Sequence, residues 1–266
     1  WQMLIERCQA RAALVDETLE FHFTGFQNKS DAPFNQSLTR DFQQHRIDGA
    51  IGIGLEFDVM KWIEQHKVPY VAYAGYGLHM VEIDTPSLIE LGVQELHKRK
   101  CRRIGFWVPA TPKRPVIPVE EKLEVIDASL KRHGLDIYPD LIWHGLQHQS
   151  TQIQKSHQEQ GFCAAMETFS RPRTEWPDGL LITDMMAHGA LIAMENLKPD
   201  IRARIPIATH SNKGSTVLHG RKNLILLETD LAEIVNAIFE TLEKLMSGKT
   251  PSSSVALVKP ILKYAP

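Results

Sequence analysis

The chain has 266 residues, 43% of them hydrophobic, enough to bury one large core or two smaller ones. Its 30 Lys and Arg against 32 Asp and Glu give a formal charge of -2, so these residues alone do not form a strongly basic nucleic-acid surface. The three cysteines (Cys8, Cys101, Cys163) show no paired C-x-x-C spacing, which fits a reducing, cytoplasmic setting, and no apolar run is long enough to span a bilayer.

The pattern opens inside a helix over 1–16, with no Met or cap before Trp1, so a start further upstream is expected. A strand over 19–24, a helix over 34–46 and a strand over 49–54 follow. Next come a helix over 57–66, a strand over 69–74, a helix over 85–99 and a strand over 102–108. Helices over 119–133, 157–170, 185–197 and 230–247 are interleaved with strands over 140–144, 179–183, 205–209, 224–228 and 255–262. This alternation predicts an α/β fold of parallel sheets flanked by helices. The strands lack clean two-residue alternation, as expected of strands buried on both faces.

An internal echo refines the picture. IDGAIGI (47–53) resembles PDGLLIT (177–183), and KVPYVAY (67–73) resembles RIPIATH (204–210). Each half has an Asp-Gly turn, a buried strand, a helix, and a second strand opened by proline, which suits a position where no ladder donor is needed. Two such halves predict two lobes with a cleft, ligands sitting outside the carboxyl ends of the strands. RRIGFW (102–107) reads as the first strand of the second half. Its counterpart would precede Trp1, so the first strand of the first lobe is expected to be missing from this chain.

Asp184 and His188 lie four apart, a spacing that can serve a metal or acid–base pair. No third ligand is found, and Asp184 reads as the N-cap of helix 185–197, at the carboxyl end of a strand. His188 is then a bystander. His144 and His148 flank Gly145 and read as solvated loop residues, while Asp84 reads as the cap of the helix that carries Pro86 in its first turn. Phe57, Tyr73, Tyr76 and Trp107 follow strands and offer faces on which a sugar ring or base could stack. HKRKCRR (97–103) reads as a solvated helix end whose cations offset the dipole. GIG (52–54) lacks the rest of a dinucleotide fingerprint, and there is neither a phosphate loop nor a nucleophile elbow. No catalytic residue, metal site or cofactor is assigned.

VPYVAY, VEIDTPSLIELGVQELHKRKCRRIGFW, PDGLLITDMMAHGALIAM, RIPIATHSN and LILLETDLAEIVNAIFETLEKLMSGKTP, in that order and spacing, resemble the effector-binding region of the lactose-repressor/galactose-repressor (LacI/GalR) family of bacterial transcription regulators. The resemblance covers nearly the whole chain. It implies a two-lobed, type 1 periplasmic-binding-protein-like fold, with lobes at 1–106 plus 228–248 and 107–227 plus 249–266. The three crossings, near 106, 228 and 248, are candidate hinges. It implies a cytoplasmic sensor, not an enzyme, that binds a small molecule such as a sugar or nucleobase. It further implies a homodimer without membrane contact, and operator DNA as a partner through a domain absent from this chain.

Two departures bear on the ligand. The family's Arg falls on Lys122, which keeps the charge but loses the bidentate fork. The common Gly-Phe-Asp-Asp is Thr209-His210-Ser211-Asn212, which removes an acid that grips sugar hydroxyls. The expected contacts are Phe57, Tyr73, Trp107, Lys122, Asp184 and Asn212. Two alternatives are a stand-alone solute-binding protein of a transporter and an α/β enzyme. The first would need a secretory signal, the second a nucleophile or phosphate loop.

Overall fold

The computed structural model describes residues 2–23, 34, 36–109, 119–144, 155–197, 201, 204–218 and 223–264. The first elements in chain order are α1 (Gln2–Leu14), α2 (Gln36–Gln43), β1 (Ala50–Ile53), α3 (Phe57–Gln65), β2 (Tyr70–Tyr73), β3 (Met80–Ile83) and α4 (Thr85–Lys98). Then come β4 (Ile104–Val108), α5 (Val119–Arg132), β5 (Ile142–His144), α6 (His157–Phe169), β6 (Gly179–Ile182) and α7 (Asp184–Leu197). The last are β7 (Ile207–Asn212), β8 (Leu224–Thr229), α8 (Leu231–Met246), β9 (Val255–Val258) and β10 (Ile261–Tyr264). Both sheets are parallel except for one strand, and helices flank them, as the alternation of apolar runs predicts.

The first unit comprises Trp1–Ile83 and Asp230–Val258. Its sheet runs in the order β1-β2-β3-β9, with each pair parallel. Successive residues of β2 point to opposite faces. Val71 and Tyr73 meet α1 and α8, while Tyr70 and Ala72 meet α2 and α3.

The second unit comprises Asp84–Thr229 and Lys259–Pro266. Its sheet runs β10-β8-β7-β6-β4-β5, with β10 alone antiparallel to its neighbour. Ile104 and Phe106 of β4 pack with α4 and α5, and Trp107 packs on the other face with α6 and α7. Those two helices approach through glycines. A Cβ at Gly161 would stand 2.1 Å from the Met186 oxygen, and one at Gly189 would stand 1.8 Å from the Gln158 oxygen.

The echo in the sequence is an echo in hydrogen bonding. Ala50 N donates to Pro69 O at 2.8 Å as β1 meets β2, and Leu180 N donates to Pro206 O at 3.0 Å as β6 meets β7. Each proline thus supplies the first carbonyl of a parallel ladder and withholds no needed donor.

The chain passes between units at 83/84, 229/230 and 258/259. The expected crossings near 106 and 248 are displaced. A break at 106 would cut β4, which is paired on both sides. Helix α4 packs on the second sheet, with Gly92 against Leu181 and Leu227. β9 pairs with β3 of the first sheet. The expected single strand over 255–262 is therefore two strands, split around Lys259-Pro260 and serving different sheets.

The first two crossings land on aspartates that begin helices. Asp84 accepts from Ser87 N at 2.9 Å and Ser87 Oγ at 2.7 Å, capping α4 as expected, and Asp230 accepts from Ala232 N at 2.9 Å, capping α8. Each cap satisfies donors that the first helical turn leaves free. Two further differences from the expected elements remain. β3 was not anticipated, because HMVEID offers too short an apolar run. Residues 18–23 form no strand, and residue 24 lies outside the described residues.

Candidate functional site

At the carboxyl end of β1, Phe57 opens α3 and is 45% exposed. Tyr76, in the loop after β2, meets it edge to face at 5.5 Å, and Lys61 Nζ stands 4.4 Å from the centre of the Phe57 ring. Tyr70 Oη donates to Tyr76 O at 3.0 Å, which ties this loop to the sheet. An accessible ring, a second aromatic and a nearby ammonium can bind a planar or polyhydroxylated molecule by stacking and hydrogen bonding. Tyr73 lies elsewhere. It is 7% exposed and packs with Val71, Val81 and Ile234.

In the second unit the carboxyl ends of β6 and β7 carry two buried polar atoms, Thr183 Oγ1 and Asn212 Oδ1, that no partner among the described residues satisfies. A buried polar atom left unsatisfied costs about 1–3 kcal/mol, so two at adjacent strand ends call for an explanation. Thr183 was not singled out from the sequence. A threonine between a strand and a helix reads locally as capping, and only its burial exposes the unmet hydroxyl. Thr183 O accepts from Ala187 N at 2.7 Å, so Thr183 holds the cap position and Asp184 is the first residue of α7. The cap stands one residue earlier than expected because helical bonding starts one residue earlier.

Lys122 lies in the first turn of α5, half-buried, with no carboxylate paired to it among the described residues. Burial pushes its pKa below the usual lysine value. Trp107 stands in the core, 2% exposed, opposite Trp143 in the ladder and 6.2 Å from the Phe169 ring. It forms one wall of a cavity of about 370 Å³ together with Trp143, Leu141 and Thr168.

His188 is half-buried on α7. His144 closes β5 and is 6% exposed, not solvated. His148 lies outside the described residues. Among the described residues no group of three or more His, Cys, Asp or Glu is placed to hold a metal ion. No helix among them is long and apolar enough to cross a membrane.

No family model and no curated protein matches the sequence. The fold does have solved counterparts. A regulatory protein of the LacI family from Chloroflexus aggregans superposes with a TM-score of 0.77 at 19% identity, over 97% of this chain and 89% of that one. The transcription regulator CcpA of Lactococcus lactis gives 0.75 at 14% identity, over 98% and 91%. The Lac repressor bound to ONPG in its repressed state gives 0.72 at 15% identity, over 98% and 76%. The chain thus has the two-unit, periplasmic-binding-protein-like α/β fold of LacI-type transcription regulators along nearly its whole length.

Proposed function

We propose that this chain is the effector-sensing part of a DNA-binding transcription regulator. The observation that carries the reading is the pair of buried, unsatisfied atoms at the strand ends, in a fold shared with a repressor solved bound to ONPG. The effector is a small polar molecule. Its hydroxyl or amide groups satisfy Thr183 Oγ1 and Asn212 Oδ1 of the second unit, where Lys122 supplies a positive charge; the Phe57–Tyr76 pair offers a stacking face in the first unit. Asp184 stands beside this group in sequence, whereas Tyr73 and Trp107 act through packing. Binding favours one setting of the two units over another, and only a difference in affinity between those settings can do this. A homodimer passes that preference to an attached DNA-binding domain and so to operator affinity. No step of this reading needs catalysis.

The test is a thermal-shift screen over sugars, sugar acids and nucleobases, followed by calorimetry on the hits. A ligand at a hundred times its Kd raises stability by about 2.7 kcal/mol. Asn212→Ala and Lys122→Ala each lower the affinity about tenfold or more, with circular dichroism unchanged, since each removes a polar contact worth about 1.5 kcal/mol or more. Unchanged affinity in both variants removes this site. A full-length protein whose operator binding ignores every such ligand removes the regulatory reading.

A further inference from the structure

The cavity beside Trp107 takes no part in the effector reading. Its volume, about 370 Å³, falls within the range of small-molecule pockets, about 300–1,000 Å³. Close-packed interiors leave few voids larger than a water, so a cavity of this size bordered by core residues calls for an account. Trp107, Trp143 and Leu141 border it and are 2%, 6% and 4% exposed.

Its place in the fold is defined by the ends of two elements. The turn Pro139–Leu141 feeds β5 on one side, and Glu167 and Thr168 close α6 on the other, with Arg171 just beyond. β5 and β6 both run parallel to β4. The helix that joins them, α6, must therefore return from the carboxyl ends of the strands to the amino ends. Thr183 and Asn212 stand at the carboxyl ends of β6 and β7. The cavity and the proposed effector contacts thus lie toward opposite ends of one sheet. Packing fixes its walls. Trp176 Nε1 donates to Arg171 O at 2.8 Å, and the Phe169 ring meets Trp176 edge to face at 5.3 Å and Trp107 at 6.2 Å.

The charges on the walls select the ligand. Arg171 Nη2 donates to Glu167 Oε1 at 2.8 Å, so these two charges offset each other. Asp140 stands exposed in the turn before β5, and no described residue forms an ion pair with it. One negative charge is left over. An anion would meet an arginine already paired and a carboxylate that repels it, whereas a cation meets that carboxylate and two indoles.

We propose that this cavity is a second binding site, for a small organic ammonium ion whose apolar body is about the size of one ring. The body lies against the indoles of Trp107 and Trp143, which supply a large apolar area and attract a nearby cation. The ammonium group stays at the mouth and pairs with Asp140. The site uses neither Lys122, Thr183 nor Asn212, so it stands independently of the effector reading.

Three probes of one shape test it, benzylammonium, benzyl alcohol and benzoate, by calorimetry and by the indole N–H signals in NMR spectra of the protein. Benzylammonium binds with a Kd of about 1 mM or tighter, ordinary for so small a ligand. Benzyl alcohol binds about fivefold more weakly, the scale of an ion pair at an exposed carboxylate, and benzoate more weakly still. The signals of Trp107 and Trp143 shift, and that of Trp62 in the first unit does not. Asp140→Asn, at an exposed position, lowers the benzylammonium affinity about fivefold and leaves benzyl alcohol unchanged. Asn212→Ala leaves both unchanged. No binding of benzylammonium at about 10 mM overturns the proposal. Equal affinity for the three probes, or an unchanged benzylammonium affinity in Asp140→Asn, overturns it as well. Loss of benzylammonium binding in Asn212→Ala places the probe at the other end of the sheet and overturns it too.

Discussion

At the scale of the residue, an aromatic side chain after an apolar run reads as either a ligand platform or core, and burial separates the two. Phe57 starts a helix and stays 45% exposed, while Trp107 is 2% exposed inside the sheet packing. Trp107→Ala should therefore cost about 3–5 kcal/mol of stability, measured by urea denaturation, while Phe57→Ala costs far less and acts on ligand affinity. Glu90 shows a second residue-scale effect. Burial would raise its pKa, but hydrogen bonds from Arg132, Ser129 and His133, with the Arg132 charge, hold it at about 2 against an ordinary 4.5. Ser129 Oγ donates at 2.7 Å, Arg132 Nε donates at 3.0 Å, and His133 Nε2 lies 2.7 Å away. The folded pKa is depressed, so this contribution is complete above about pH 4.5 and is lost as the pH falls toward 2. Glu90→Gln should flatten the acid limb of stability against pH in that window. A variant with the wild-type acid limb would show that Glu90 contributes nothing to it.

At the scale of the element, helices were legible to within a few residues because apolar stripes, caps and prolines are local signals. All eight expected helices are present, from α1 to α8. Strands were legible where they are continuous apolar runs, as in β4, β6 and β8. β3 escaped because it is 4 residues long and only half-buried at most positions. Residues 19–23 carry a strand pattern without forming a strand, since a ladder needs a partner edge as well as a pattern. The contact of α6 with α7 is also an element-scale property, set by two glycines whose role is invisible without the partner helix. Gly189→Ala would push a Cβ to 1.8 Å from the Gln158 oxygen, so the helices must separate. Thermal denaturation should show a loss of about 1–3 kcal/mol or more, the usual cost of overpacking, and a Tm within a degree of wild type would refute the packing assignment.

At the scale of the whole molecule, the repeated Asp-Gly and proline-opened strands in IDGAIGI, PDGLLIT, KVPYVAY and RIPIATH determined that there are two parallel α/β halves, because turn chemistry and apolar runs are written in consecutive residues. They also located the carboxyl strand ends where Phe57 and Asn212 lie. Tertiary structure decided what those residues do not encode locally. It decided that α4 leaves the strand before it to join the other unit, that β9 and β10 serve different sheets, that Trp107 is core, and that the Thr183 hydroxyl is buried with no partner among the described residues. The physical reason is the same in each case. Propensity and patterning act over one or two turns of chain, whereas burial, ladder partners and unmet hydrogen bonds depend on residues brought together from far along it.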